Sequence, residues 1–311
     1  MEQDTSRFEQ AAELLPREMR YALLRLTERE RAAAEEIRLR AGRGLSVVCG
    51  REERFVVNGQ GLQVYRSDLE LVLQLATQAS AHTALERVRS GYLTVRGGHR
   101  IGLCGTAVVR DGIVTNLDRL SSLAIRIARE VRGAAASVLP SLVTEDGMES
   151  TLLLSPPGAG KTTLLRDLIR CLSSGEGCTP LRVGLADERG EVAAVYDGLP
   201  QMDVGPRTDV LDACPKAEGL LMLLRGMNPQ VLAADEITAP EDCAAFQMAA
   251  NCGVTLLATA HAASAEELLR RPLYRGLLEQ RCFTRLVTIR LTASGRDYRV
   301  EPLPALPCSC T

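Results

Sequence analysis

The sequence predicts an α/β protein, with a doubly wound parallel sheet in its C-terminal half preceded by a smaller α+β domain. Three observations predict this class. An apolar run at 151–154 leads through the loop Ser155-Pro-Pro-Gly-Ala-Gly-Lys-Thr-Thr163 into a stretch of helical apolar spacing at 164–172. Further strand-like runs at 181–186, 230–234 and 254–260 alternate with helical patterns at 216–226, 240–252 and 264–271, the rhythm of parallel strands joined by crossover helices. The first 130 residues instead carry short strand-like runs separated by glycines.

In chain order, Phe8, Ala11, Leu14, Leu15, Met19, Leu23 and Leu24 recur at helical spacing and predict one opening helix over 8–27. Strands are expected at 36–40 and 45–48, divided by Gly42 and Gly44. Ser67 is a suitable N-cap for a helix reaching to about Arg89. Strands at 92–95, 99–104, 106–109 and 123–127 follow, joined by Gly97-Gly98 and Asp111-Gly112 turns. The domains are placed at 1–130 and 150–311, with 131–149 as linker. In the second, helix 161–172 opens in the phosphate-type loop, Pro240 suits a first helical turn and Gly253 a C-cap. The closing stretch 282–303 reads as a hairpin around Ser294-Gly295.

Composition narrows the function. A chain of 311 residues with 46% apolar and 24% charged residues is ordinary for a globular protein large enough for two cores. A net charge of −2, 3% aromatic residues and no Trp give neither the electrostatic footprint nor the stacking surfaces of a nucleic-acid binder. The ten cysteines are scattered, and Cys308-Ser-Cys310 lacks a second pair, so reduced thiols in a cytosol are expected, with neither disulfide framework nor metal knuckle. No run approaches the roughly 18 apolar residues that span a bilayer, so membrane association is expected to go through partners.

Only two of the 37 basic side chains are lysines, and one is Lys161, inside the loop. A compact ammonium reaches between phosphates as a point charge, where a planar guanidinium is too wide. Strand, glycine loop and helix is the context of a P-loop. Nucleotide contacts are assigned to Ser155, Pro156, Pro157, Gly158, Ala159, Gly160, Lys161, Thr162 and Thr163, through backbone N–H groups at a helix N-terminus except at the prolines. The Thr162 hydroxyl is the expected Mg²⁺ ligand. Ser155 stands where this motif usually begins with glycine.

Val231-Leu-Ala-Ala-Asp235-Glu236 is an apolar strand ending in two carboxylates, which assigns Asp235 to Mg²⁺ and Glu236 to the attacking water. The acidic loop Asp187-Glu-Arg-Gly-Glu191 also follows a strand; it is either a solvated loop or a device that orders metal-bound water. His261 ends the strand Thr255-Leu-Leu-Ala-Thr-Ala-His261, where a sensor of the terminal phosphate belongs, although a lone histidine equally serves packing. Arg207 lies in a turn-rich loop and Arg225 at the end of a helix; either stabilises transition-state charge or forms a surface ion pair, and the sequence does not choose.

With these residues in place, the chain closely resembles the stage III sporulation protein AA family of sporulation ATPases. The shared motifs include Glu36-Ile-Arg-Leu-Arg40, Gly97-Gly-His-Arg-Ile-Gly102, Ser121-Ser-Leu-Ala-Ile-Arg-Ile-Ala-Arg129, Asp187-Glu-Arg-Gly-Glu191, Asp203-Val-Gly-Pro-Arg-Thr-Asp-Val-Leu-Asp212 and Cys214-Pro-Lys-Ala-Glu-Gly219. That family is similar to the traffic ATPases of type II and type IV secretion and pilus retraction. The resemblance implies a RecA-like P-loop NTPase domain in a homo-hexameric ring that uses ATP and Mg²⁺. It implies catalytic roles for Glu236, Lys161, His261, Arg225 and Glu188, and an aspartate box of Asp187, Glu188 and Glu191, with Asp187 and Glu191 near the metal directly or through water. It also implies that Arg126 and Arg129 reach the phosphates. Gly190 stands where the family more often has serine, and Lys216 belongs to a shared motif in which a surface place at a helix start and a ligand contact are equally open.

The expected function is a motor energising a sporulation channel complex between mother cell and forespore. It would be cytoplasmic, peripheral to the membrane through membrane-protein partners, and would not bind nucleic acid. The rival expectations are a nucleotide-gated scaffold with negligible hydrolysis and a RecA-like nucleic-acid motor.

Overall fold

The computed structural model describes residues 2–56, 62–77, 91–145, 147–292 and 295–303. The part of the expected Ser67–Arg89 helix that follows Thr77, the turn at Ser294 and the Cys308-Ser-Cys310 pair lie outside the described residues in whole or part. Two compact units divide the chain: Met1–Arg129 with Ala194–Gln201, and Glu130–Ala193 with Met202–Thr311. The expected linker 131–149 belongs to the second unit, and 194–201 is an excursion counted with the first.

In the first unit the opening helix is broken. Pro16, lacking an N–H, caps the start of α2 (Arg17–Leu24), so the apolar stripe is shared between α1 (Glu2–Ala12) and α2. Phe8, Ala11, Leu15, Met19 and Leu23 are nevertheless all buried, as their spacing requires. A third helix, α3 (Glu28–Ala33), starts at a Thr27–Glu30 capping box that the sequence reading passed over. The sheet runs β3 (Glu52–Phe55), β2 (Ser46–Cys49), β1 (Glu36–Arg40), β6 (Ile113–Arg126), β5 (Arg100–Arg110), β4 (Tyr92–Thr94) and is antiparallel throughout. Ile37, Leu39, Ile101, Leu103, Leu123 and Ile125 alternate onto its covered face, under α4 (Arg66–Thr77) and the opening helices. The break expected at Gly105 is a register shift inside a continuous β5, and a Cβ there would lie 2.8 Å from the Asp118 carbonyl oxygen.

The second unit begins with a short ribbon, β7 (Val143–Thr144) and β8 (Gly147–Met148), and then forms a seven-stranded sheet. Its order is β11 (Thr208–Asp212), β10 (Val183–Asp187), β12 (Val231–Ala234), β13 (Thr255–His261), β9 (Thr151–Ser155), β14 (Arg285–Thr292), β15 (Gly295–Pro302). All neighbours are parallel except the β14–β15 hairpin. β9, β10 and β12 are buried along their whole length, as central parallel strands covered on both faces must be. The crossover helices are α5 (Lys161–Ser174), α6 (Lys216–Gly226), α7 (Pro240–Asn251), α8 (Ala265–Arg270) and α9 (Arg275–Glu279). β11 is a strand where a turn-rich loop was expected over 203–209, because Thr208–Asp212 extends the sheet beside β10. No helix among the described residues is long and apolar enough to cross a membrane, and the described cysteines are free.

Candidate functional site

Parallel register brings the motifs together. Ala186 pairs with Ala234 and Ala234 with Ala258, so Asp187, Asp235 and Thr259 stand one residue further on at the same level of the sheet. His261 pairs with Ser155, placing the histidine beside the mouth of the loop. This is the carboxyl edge of a parallel sheet, the ligand-binding edge of open α/β folds.

The loop rises from β9 and turns into α5 through Gly158 (φ 75°) and Gly160 (φ 103°), a backbone that only glycine adopts without strain. Gly160 caps α5 without a side-chain partner, so the N–H groups of the first turn face outward for an anion. Ser155 needs no glycine-like conformation: it is absent from the positive-φ residues, its hydroxyl donates to the Pro156 carbonyl at 2.7 Å, and the missing family glycine leaves no strain. Likewise Gly190 takes φ 59°, a conformation that glycine adopts more readily than serine.

Lys161 is buried, and its Nζ donates to the Ser155 carbonyl at 3.2 Å and approaches the Ser155 hydroxyl at 3.4 Å. It also lies 2.9 Å from His261 Nδ1, and since an ammonium has no lone pair, Nδ1 is the acceptor. That leaves the proton on Nε2, which faces Glu236 Oε1 at 3.2 Å. One line of contacts therefore runs from the loop lysine Lys161 through His261 to Glu236. Burial pushes the Lys161 pKa down, against the opposing pull of Asp235 and Glu236.

Thr162 donates to Asp235 Oδ2 at 2.6 Å, and Thr259 donates to Oδ1 at 2.6 Å. The Thr259 hydroxyl also accepts the Glu236 N–H at 2.8 Å, so one fully buried side chain orients both carboxylate residues. Thr162 and Asp235 converge as hard oxygen donors, the sparse protein contribution that Mg²⁺ takes when phosphates and waters complete its shell. No cluster of three or more His, Cys, Asp or Glu suited to a metal occurs among the described residues.

The acidic loop divides in function. Asp187 is buried and accepts the N–H groups of Glu191 (2.9 Å), Val192 (3.1 Å) and Ala193 (2.8 Å), so its carboxylate shapes the loop, and burial raises its pKa against those bonds. Glu188 lies 3.6 Å from Lys216, and Glu188, Glu191, Lys216, Asp235 and Glu236 line one pocket. Arg189 reaches to 4.0 Å from Glu236 Oε2.

The other arginines serve different places. Arg225 is exposed in the last turn of α6, at the opposite end of that helix from Lys216. Arg207 bonds to Ser173 in the last turn of α5, the end away from the 155–163 loop, so in its own chain it does not face that loop. Arg126 pairs with Glu36 at 3.1 Å, and Arg129 donates to the carbonyls of Ala32 and Ala34, all within the first unit. Residues that the sequence reading missed also meet here. Thr259 and Asp242 carry no motif signal, and Arg296, from β15, donates through Nε to the Ala159 carbonyl at 2.9 Å against Gly160.

The chain matches the model of the family described as sporulation stage III, protein AA over residues 5–300. It is 40% identical over 285 residues to stage III sporulation protein AA of Bacillus subtilis (strain 168), covering 89% of each chain. Among solved structures it is similar to the ATPase DotB of Legionella pneumophila, with a TM-score of 0.57 at 16% identity, over 86% of this chain and 76% of that one. The pilus retraction motor PilT with bound ADP gives 0.59 at 17% identity, over 88% and 80%. At such identities the likeness establishes fold alone: an α/β, RecA-like architecture.

Proposed function

The chain belongs to the sporulation stage III, protein AA family, and from that premise we propose that it is a Mg²⁺-dependent ATPase. The observation that carries the reading is the line Lys161–His261–Glu236, with Asp235 held beside it by Thr162 and Thr259. Such a line couples the group that meets the phosphates to the group that meets the water.

ATP lies with its β- and γ-phosphates on the loop N–H groups and Lys161. Glu236 orients a water in line with the γ-phosphorus; the water oxygen bonds to phosphorus as the β–γ bridging P–O bond breaks, and ADP and phosphate leave. The departing water proton passes toward Glu236, and His261 senses whether the γ-phosphate is present by exchanging its Lys161 contact. Thr162 and Asp235 would hold Mg²⁺, which would neutralise charge on the phosphate oxygens. Asp187 keeps the acidic loop in shape, while Glu188 and Glu191 face the pocket where metal-bound water would sit. Arg225, exposed on α6, and Arg126 and Arg129 are assigned to phosphates in an assembled homo-hexamer. The ring energises a sporulation channel through membrane-protein partners, from the mother-cell cytoplasm.

Phosphate release from Glu236→Gln tests the reading: turnover should fall by roughly 10²–10⁴-fold while nucleotide binding persists. Wild-type turnover in that variant would remove Glu236 from the mechanism.

A further inference from the structure

Lys216, the other lysine of the chain, sits in the first turn of α6 and is only 6% exposed. Two costs oppose that placement. The N-terminal end of a helix carries positive partial charge, which disfavours a cation, and burial strips an ammonium of water. Its contacts show what the placement provides. Lys216 Nζ donates to the main-chain carbonyl of Glu236, lies 3.4 Å from Asp242 Oδ2 and 3.6 Å from Glu188 Oε2. Asp242 is itself buried and accepts the N–H groups of Thr238 (3.0 Å) and Ala239 (3.1 Å), fixing the turn that follows Glu236.

That turn is strained at one residue. Glu236 has φ 51°, the left-handed region that a side chain with a Cβ rarely adopts. Its N–H is tied to Thr259 and its carbonyl to Lys216, so the peptide units on both sides of the strained residue are clamped. The direction of the Glu236 side chain toward His261 follows from that backbone.

We propose that Lys216 is a positioning residue for Glu236: it fixes the carbonyl of Glu236, and with it the left-handed turn that aims the carboxylate at the attacking water. The inference rests on the ATPase reading above. It assigns no contact between Lys216 and nucleotide.

The test is a double-mutant cycle on the full chain, with Lys216→Met and Glu236→Gln alone and combined, reading single-turnover cleavage of ATP and the Kd of a fluorescent ATP analogue. Lys216→Met should slow cleavage on the order of 10²-fold, the cost of about 1 Å of misplacement of a catalytic group, with Kd changed less than about threefold. The combined variant should be no slower than Glu236→Gln, because Lys216 acts only through that carboxylate. Undiminished cleavage in Lys216→Met overturns the proposal, as does a loss that multiplies in the Glu236→Gln background or a matching loss of binding. If Lys216→Met fails to fold by circular dichroism, Lys216→Gln decides on the same criterion, slowing confined to the Glu236 background. Wild-type cleavage by Glu236→Gln alone removes Glu236 from the mechanism, and absence of cleavage by the unmodified chain brings down the ATPase reading itself, both outcomes distinct from failure of Lys216 alone.

Discussion

Thr259 concentrates more of the site on one hydroxyl than any residue the motifs single out. It donates to Asp235, accepts from Glu236 and is fully buried in β13. Valine has nearly the same shape without the hydroxyl, so Thr259→Val leaves a half-buried Asp235 carboxylate oxygen and the Glu236 N–H short of a partner. A fully buried group of this kind costs about 1–3 kcal/mol, and partial access to water offsets some of that. Chemical denaturation should therefore show Thr259→Val destabilised by roughly 1–2 kcal/mol, with slower ATP turnover, whereas Thr259→Ser should restore most of both. A stable, fully active valine variant would mean that Asp235 and Glu236 are oriented without Thr259. Each of the chain's two lysines, Lys161 and Lys216, is likewise buried and donates to a main-chain carbonyl at this site.

At the scale of elements, β9, the loop and α5 were legible because their signal is local: an apolar strand, two glycines at left-handed angles and helical spacing occur in one continuous stretch. Partners delivered by sheet pairing left no such signal. β11 reads as polar turn sequence and becomes a strand only because β10 offers a free edge. Pro16 divides a stripe whose periodicity alone promised one helix, and Asp242 acquires its role from the turn that precedes α7. The hairpin of β14 and β15 was legible as a hairpin, yet not as a wall of the 155–163 loop, which it becomes through Arg296. A Cβ on Gly160 would lie 2.6 Å from Arg296 Nε, and its φ of 103° already excludes ordinary side chains. Gly160→Ala should accordingly weaken binding of an ATP analogue by on the order of 10–100-fold, from roughly 1–3 kcal/mol of strain at the loop. Relieving the crowding with Arg296→Ala should recover only part of that loss, since the backbone angle remains; titration of the fluorescent analogue reads both. Full recovery would place the whole effect in the Arg296 contact.

For the whole molecule, the two units have separate cores, and one titratable group ties the stability of the first to pH. His99 is fully buried; Nδ1 accepts the Ala128 N–H at 3.1 Å and Nε2 has no hydrogen-bond partner. Burial, with Arg7 nearby, lowers its pKa from 6.5 to about 4. Between those values the unfolded chain holds a proton that the folded one lacks, so this contribution is complete above 6.5 and is lost as pH falls toward about 4. From about pH 7 to about pH 5, above the range in which ordinary carboxylates titrate, the loss should be about 2 kcal/mol. With no Trp in the chain, far-ultraviolet circular dichroism is the suitable monitor of urea unfolding. His99→Gln keeps an acceptor for Ala128 and should flatten the slope of stability against pH in that window. A nucleotide analogue should stabilise a different transition, that of the RecA-like unit, by mass action on its site. If acid and nucleotide instead move one common transition, unfolding couples the two cores, and the pH term then belongs to the whole chain.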